Sequence, residues 1–475
     1  MPVMLWTDAL VWFLMATVIV FILYARRREH LSAPWRRVLT SSAAMASAVT
    51  LGGFLCIGLI DSIHYRESLG AVKGDGKQAY AVEVLSGLDW MLSDLRKRQE
   101  KTYSAPFALH LFQKESLERP DGKIVRVYPR LHHAGKHLQD ENELTGDIAW
   151  RFASGIVSGS AVAIALVMLG ICWIARHAAA PYGAMLTAIM SGATQVRWRP
   201  AFLALWVLLI GVGLAASLAP HYHVLGTDKV GQDVLYQALK SIRTALVIGT
   251  ITTLVTLPLG VLLGIAAGYF KGWIDDIITY VYTTINSIPS VLLIAASVLL
   301  MQGYIERNAE LFQTTAERAD IRLLLLCVIL GLTSWTGLAR LLRGESLKLR
   351  ELEYIQAAHA LGVTHLRTIT RHILPNTMHI VLIALVMEFS SLVLAEAVLS
   401  YIGVGVDPTM ISFGTMINTA RLEMGREPMV WWSLSAAFSF MVILVLAANL
   451  FADAVRDAFD PRNAMGRVAA GGTKA

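Results

Sequence analysis

Residues 161–176 read Ala161-Val162-Ala163-Ile164-Ala165-Leu166-Val167-Met168-Leu169-Gly170-Ile171-Cys172-Trp173-Ile174-Ala175-Arg176, and no charged side chain occurs from residue 153 to residue 175. About 20 apolar residues is the length a helix needs to cross the hydrocarbon layer with every backbone group bonded internally. Comparable stretches recur along the chain. Nine spans can be drawn, at residues 4–24, 38–60, 153–175, 201–218, 243–268, 277–301, 322–341, 379–400 and 431–452. Composition agrees: of 475 residues, 55% are hydrophobic and 16% charged, and the mean hydropathy of +0.54 exceeds what a soluble domain needs to fill a core. The expected fold is an all-α polytopic membrane protein of about nine transmembrane helices.

The net charge of +6 lies mostly in Lys and Arg beside apolar stretches, where basic residues set membrane orientation, so no nucleic-acid partner is needed to explain it. Arg26, Arg27, Arg28, Arg36 and Arg37 place the first loop in the cytoplasm by the positive-inside rule, and hence the N-terminus outside. Alternation puts Arg176, Arg197 and Arg199 inside, with the basic stretch from Arg343 to Arg371 and a cytoplasmic C-terminal tail carrying Arg456, Arg462 and Arg467. The first apolar run ends in three arginines instead of small residues and is expected to remain as an anchor. Cys56, Cys172 and Cys327 sit inside apolar stretches without ligand-spaced partners and read as core residues, with no metal site and no disulfide framework.

Residues 61–146 are polar and too long for a simple turn. Apolar periodic pieces, such as Ala81-Val82-Glu83-Val84-Leu85 beside Trp90-Met91, favour a small folded extracytoplasmic domain over a partly disordered loop. Three spans and this segment precede a hinge near residue 200, and six spans with shorter loops follow it. Residues 1–199 are therefore expected as an accessory module, 200–465 as a transmembrane core and 466–475 as a flexible tail.

Between the seventh and eighth spans stands Glu353-Tyr354-Ile355-Gln356-Ala357-Ala358-His359-Ala360-Leu361-Gly362, followed after nine residues by His372-Ile373-Leu374-Pro375-Asn376. Ala357, Ala358 and Ala360 favour helix and leave a low-relief surface, Gly362 permits a helix end at positive φ, and Pro375 suits the start of the next span. An ordinary amphipathic loop helix would also use such residues, but the full spacing to Leu374-Pro375 on a loop already placed inside is specific. It resembles the cytoplasmic coupling loop of ABC importer permeases, here at about residues 344–376, with Glu353, Gln356, Ala357, Ala358, Gly362, Leu374 and Pro375 matching the pattern.

Further pieces resemble the C-type subunit of the dipeptide, oligopeptide and nickel permeases. They are Leu225-Gly226-Thr227-Asp228-Lys229-Val230-Gly231-Gln232-Asp233-Val234-Leu235, Gly268-Tyr269-Phe270-Lys271-Gly272-Trp273-Ile274-Asp275, Ser287-Ile288-Pro289-Ser290, the run from Leu394 to Gly405, and the run from Asp453 to Arg462. The resemblance spans roughly residues 200–465 and implies a six-helix type I importer core in a prokaryotic inner membrane. It also implies a second homologous permease, two ATP-binding cassette ATPases that use ATP and Mg, an extracytoplasmic substrate-binding protein and a peptide cargo, with a nickel or metal complex as the alternative. Gln232 stands where that branch usually has Arg, and His359 where Arg is common after the paired alanines. The family is silent about residues 1–199.

Gly260, Gly264 and Gly268 share one helix face and read as a close packing stripe. Pro258 and Pro289 each remove a backbone donor and are candidates for a gating kink as well as ordinary membrane prolines. Glu388 and Glu396 fall in an apolar span, where a carboxylate needs a partner, a cavity or the bundle interior. Glu388 is the sharper pathway candidate, whereas Glu396 reads equally as a structural bond. Asp228 and Asp233 precede a span and fit either helix capping or an outer gate. His132, His133 and His137 include an i, i+4 pair that suits a metal, yet they lack a nearby acidic or Cys partner and read better as surface residues. Gly74-Asp75-Gly76-Lys77-Gln78 lacks the spacing and hydroxyl of a phosphate loop, so the chain itself is expected to bind no cofactor and ATP chemistry to come from partners. A membrane receptor or sensor and an ion-coupled transporter are the rival classes.

Overall fold

The computed structural model describes residues 1–26, 29–71, 78–118, 124–138, 140–308, 310 and 314–459. Arg27, Arg28, Arg462, Arg467 and the expected tail at 466–475 lie outside the described residues. The chain is mostly helical, and among the described residues eight helices are long and apolar enough to cross a membrane. The ninth expected span corresponds to α1 (Trp6–Arg26).

In chain order, α2 (Glu29–Val38) is followed by α3 (Ser42–Asp61), which the Ser41 hydroxyl caps at the amide of Ala44. The polar segment then forms short strands and turns around α4 (Gly87–Met91) and α5 (Ser93–Lys97), where Ser86 and Asp89 make a reciprocal capping box. Next come α6 (Leu144–His177), α7 (Tyr182–Ser191) and α8 (Trp198–Leu218). The apolar helix α7 was not expected from the sequence; at ten residues it is too short to read as a span. Long helices α9 (Val234–Phe270), α10 (Gly272–Ser287), α11 (Ser290–Arg307) and α12 (Thr315–Arg350) lead to α13 (Glu353–Ala360) and α14 (His365–Thr368). A π-type turn over Ile369–Ile373 runs into α15 (Leu374–Tyr401), then α16 (Phe413–Glu423) and α17 (Trp432–Phe459).

The single span expected at 277–301 is divided. Ile288 is extended (φ −93°, ψ 131°) and Pro289 caps α11, which continues to Arg307. Proline lacks the amide that would continue α10, and its ring drives the preceding residue out of the helical region, so the hydropathy of the stretch hid a break.

Two compact units are present. The first comprises Met1–Val3, Leu39–Thr244 and Ile411–Ala447; the second comprises Met4–Val38, Ala245–Met410 and the chain from Ala448. Neither unit is a continuous piece of chain, and the polar segment belongs to the first instead of standing as a unit of its own.

In the first unit, α6 and α8 cross at glycines. A Cβ on Gly159 would meet the Leu209 carbonyl oxygen at 2.5 Å, and one on Gly213 would meet that of Gly155 at 2.4 Å, so only hydrogen lets the backbones approach this closely. Strands β1 (Pro2–Val3), β2 (His64–Tyr65) and β5 (Leu85–Ser86) form an antiparallel sheet in the order β1-β2-β5; β3 (Ser68–Ala71) pairs with β4 (Gln78–Tyr80), and β6 (Glu115–Glu118) with β7 (Ile124–Val127). Lys240 fastens this segment to the first turns of α9, with Nζ 2.9 Å from Asp61 Oδ1 and 2.7 Å from Asp89 Oδ2. Both carboxylates are almost wholly buried, so the ammonium offsets a desolvation cost that neither could bear alone.

In the second unit, Ile248, Val298, Leu323, Leu326, Leu330, Leu392 and Leu399 build a buried cluster, and Leu10 and Val11 of α1 pack against it. The Thr7 amide and hydroxyl both donate to Asp320, fixing α1 to α12. A Cβ on Gly264 would lie 2.6 Å from the Ala339 carbonyl oxygen, and one on Gly268 2.5 Å from that of Arg343, while Gly260 faces the Leu338 side chain. The glycine stripe is where α9 rests on α12. Cys327 is buried, but Cys172 is half-exposed and Cys56 exposed, so the expectation of three core cysteines holds for Cys327 alone. A helix in lipid is apolar on its outward face too, and hydropathy does not separate the two faces.

Candidate functional site

Helix α13 is held by one deeply buried side chain, Ile355, while Glu353, Gln356 and Ala357 are exposed and Ala358 is partly so. It ends in a turn where the amide of Gly362 donates to the His359 carbonyl at 2.9 Å and that of Val363 to the Ala358 carbonyl at 3.0 Å. Gly362 has φ 76°, a conformation that side chains resist, and its surroundings are otherwise open. Leu361, 84% exposed, and Leu366, 73% exposed, flank this turn with apolar surface. Single exposed leucines are ordinary. Two beside a flat alanine face give a surface suited to a partner's cleft.

The loop is anchored to the end of α9. Tyr269 places its hydroxyl 2.9 Å from His359 Nε2 and 2.9 Å from His365 Nδ1, and its ring packs with Ile265, Ile373 and Leu374. Arg350 donates to the Tyr269 carbonyl at 2.8 Å, and Lys271 pairs with Glu351 at 2.6 Å, which draws the exposed Glu351 carboxyl below its ordinary range. Arg343 holds Asp275 through two parallel bonds of 2.6 and 2.7 Å. Leu374 and Pro375 stand at the start of α15, directly after the π-type turn in a helical run from His365 to Tyr401. Glu353, Gln356, Ala357, Ala358 and Gly362 thus fall on α13 and its closing turn, braced by the turn between α9 and α10, and Leu374 and Pro375 fall at the start of α15.

The other candidates are distributed. Asp233 caps α9, its Oδ1 accepting from the amides of Leu235 at 2.8 Å and Tyr236 at 3.2 Å, while Oδ2 accepts from His223 at 2.8 Å. Asp228 closes its turn, accepting from the amides of Val230 and Gln232 and from Gln237 Nε2 at 2.6 Å; burial pushes its carboxyl up. Glu388 is half-exposed and accepts only from Ser391 of its own helix, at 3.4 Å, among the described residues. Glu396 is buried and accepts from Ser400 at 2.7 Å. His132 and His133 donate their backbone amides to Glu100, and His137 pairs with Asp147 at 2.9 Å. Among the described residues no group of three or more His, Cys, Asp or Glu is placed to hold a metal ion.

Residues 260–465 match the family of binding-protein-dependent transport system inner membrane components. The oligopeptide transport system permease protein OppC of Mycobacterium tuberculosis is 30% identical over 239 residues, covering 50% of this chain and 76% of the relative. The glutathione transport system permease protein GsiD of Pectobacterium atrosepticum is 32% identical over 242 residues, covering 50% of this chain and 73% of the relative. This chain belongs to that family. Among solved structures, a chain of the MetNI methionine ABC transporter in an inward-facing conformation aligns at TM-score 0.36 and 15% identity over 48% of this chain and 98% of that one.

The permease is a multi-pass transport subunit. Sequence reasoning overlooked several of its bracing residues. Tyr269 was visible inside the Gly268–Asp275 motif, yet nothing local says that its hydroxyl reaches two histidines some 90 residues away. Lys240 and the His223–Glu100 pair were missed because their partners lie in a segment with no family pattern. The Gly155–Gly159 spacing in the permease's third span was a readable signal of close helix approach.

Proposed function

We propose that this permease imports peptides, sharing its pathway with a second permease subunit and taking its power from two ATP-binding cassette ATPases that dock on α13. ATP and Mg are used by those partners, and an extracytoplasmic binding protein delivers the cargo. The observation that carries the ATPase contact is the surface of exposed Glu353, Gln356 and Ala357 and partly exposed Ala358, pinned from below by Ile355 and ended by Gly362. The peptide class rests on the names of the relatives. The N-terminus lies outside and the α13 loop in the cytoplasm, as the arginine distribution requires. Rocking of the two permease bundles gives alternating access, with Pro289, Glu388 and the Asp228–Asp233 loop as elements of the pathway or its gates.

The test is Ala357→Trp or Ala358→Trp in the assembled complex. Expected are normal insertion, loss of ATPase stimulation and loss of tripeptide uptake; wild-type stimulation and uptake would overturn the docking assignment. Tags near residues 30 and 360 are expected to be shielded from external reagents and one near 110 to be accessible. We propose further that the polar segment contacts the binding protein. A cysteine at the exposed Tyr128 is expected to crosslink to it, and absence of an adduct at all cargo concentrations refutes the contact.

A further inference from the structure

Beside the end of α8 lies a cleft of about 370 Å³ lined by Arg98, His133, Lys136, His137, Pro220 and His221. All six belong to the first compact unit, and none belongs to the α13 loop. A narrower crevice shares Arg98, His133 and His221 and continues to Tyr222, His223 and Asp233, but it is too tight for a water molecule. The cleft is therefore floored by packed protein and closed at its inner end.

Its acceptors are already engaged. Asp147 Oδ2 receives His137 Nε2 at 2.9 Å, Arg151 Nε at 2.6 Å and the Tyr222 hydroxyl at 2.6 Å. Glu100 receives the amides of His132 at 2.9 Å and His133 at 2.7 Å, with His223 Nε2 3.6 Å away. Donors, in contrast, are in excess. Arg98 gives Nη1 to the Pro220 carbonyl, and the nearest carboxylate to its guanidinium is that of the exposed Asp94, 3.9 Å from Nη2. Lys136 is exposed, with no carboxylate at salt-bridge distance among the described residues. His221 Nδ1 is shielded from solvent and has no hydrogen-bond partner, so the buried ring nitrogen lacks the bond that such groups normally make. Burial first, and then the neighbouring Arg151 charge, hold this imidazole toward its neutral form.

We propose that this cleft is a binding site for the carboxylate of a small molecule, with Lys136 and Arg98 supplying the charge. Charge-assisted bonds to a carboxylate are short and strong, and two cationic side chains can supply a donor to each of its oxygens. The volume sits within the range of small-molecule pockets and leaves room for a body behind the carboxylate, which a bare inorganic ion would not fill. Two sources share this chemistry: a simple organic acid and the free C-terminus of a short peptide. Occupancy is read on the purified chain without transport, so the proposal stands or falls separately from peptide import.

The experiment measures binding of four probes to the full-length protein in lipid nanodiscs: trialanine with a free carboxyl, trialanine amide, succinate and inorganic phosphate. The free-carboxyl peptide is expected to bind at least about tenfold more tightly than its amide, a difference of about 1.4 kcal/mol. Succinate binding alongside it identifies a general acid site; its failure to bind identifies a peptide end. Lys136→Glu is expected to weaken carboxylate binding at least about tenfold and Lys136→Gln less, while Lys114→Glu, outside the cleft, leaves it unchanged. Arg98 is left in place because its bond to Pro220 is structural. No carboxylate binding, equal binding of acid and amide, phosphate in preference to both carboxylates, or wild-type affinity in Lys136→Glu would each overturn the proposal. So would a Lys136→Glu defect in binding-protein docking without any binding of the small probes, which would make this basic face a protein contact.

Discussion

The Tyr269 hydroxyl lies 2.9 Å from Nε2 of His359, joining the last turn of a membrane helix to the short helix α13, the proposed docking surface. The same oxygen meets His365 across the glycine turn, so one hydroxyl, with one proton and two lone pairs, bridges both sides of Gly362. Any displacement of α13 would therefore reach α9 through this hydroxyl as well as through the backbone.

Tyr269→Phe retains the ring among Ile265, Ile373 and Leu374 and removes only the bridge. The lost bonds are worth about 1 kcal/mol, which corresponds to roughly a fivefold change in coupling. The expected outcome is near-normal ATP hydrolysis with more ATP consumed per molecule of cargo. An unchanged stoichiometry would show that the bridge does not transmit motion.

Ile355→Ala should release α13 from its seat. Deleting the side-chain carbons beyond Cβ of a fully buried isoleucine costs about 2–5 kcal/mol where the site cannot collapse. The loss falls on a short helix with few other buried contacts, so protease cleavage near 353–366 is expected to accelerate while the spans keep their thermal stability. Equal cleavage rates in variant and wild type would contradict the anchoring role.

The glycine stripe separates two kinds of close approach. At Gly264 an added methyl meets backbone, the Ala339 carbonyl oxygen at 2.6 Å, and Gly264→Ala is expected to destabilise by about 1–3 kcal/mol. At Gly260 it meets the buried Leu338 side chain, Cδ2 at 2.9 Å, Cγ at 3.0 Å and Cβ at 3.1 Å, so the leucine must shift as a whole but no backbone is struck, and Gly260→Ala should cost less, about 1 kcal/mol. Thermal unfolding of the two variants in the same detergent tests the order.

The pairing of His223 with Glu100 and Asp233 predicts a pH optimum for the first unit. Burial alone would lower the His223 pKa, but its bond to Asp233 and the neighbouring Glu100 carboxylate outweigh burial and raise it to about 9. Burial likewise opposes ionisation of Glu100, yet His223 and the amides of His132 and His133 bring it down to about 2. A raised histidine contributes stability in full below its unfolded value near 6.5 and loses it as pH rises through about 9; a depressed carboxylate contributes above about 4.5 and loses it as pH falls toward 2. Amide exchange over residues 98–104 and 223–235 should therefore be slowest, after correction for intrinsic rates, between about pH 4.5 and 6.5. His223→Gln is expected to flatten the alkaline side; an unaltered profile would place the charge elsewhere.

Much of the coupling loop was legible because its determinants are local. Paired alanines, a glycine that must take positive φ and a proline opening the next helix act within a dozen residues, and Gly362 and Pro375 occupy those positions in the structure. The break before Pro289 was less legible, since hydropathy sums over a window whereas one missing amide acts at a point. Glu396 was read evenly between pathway and structural bond; its place beside Ser400 is a matter of packing, which apolar context cannot resolve.

By itself the sequence determined that the chain crosses a membrane many times, where nearly every crossing lies, and which loop carries the coupling pattern. These follow from a solvent that forbids unpaired backbone and from side chains acting on their immediate neighbours. Only the tertiary structure decided that α1 belongs with the later helices through Thr7 and Asp320, that Lys240 clamps Asp61 and Asp89, and that Tyr269 reaches His359. Those contacts join residues from tens to more than three hundred positions apart. Such pairings depend on how helices pack once inserted, and in lipid every outward face is as apolar as the inward one, so no linear pattern marks them.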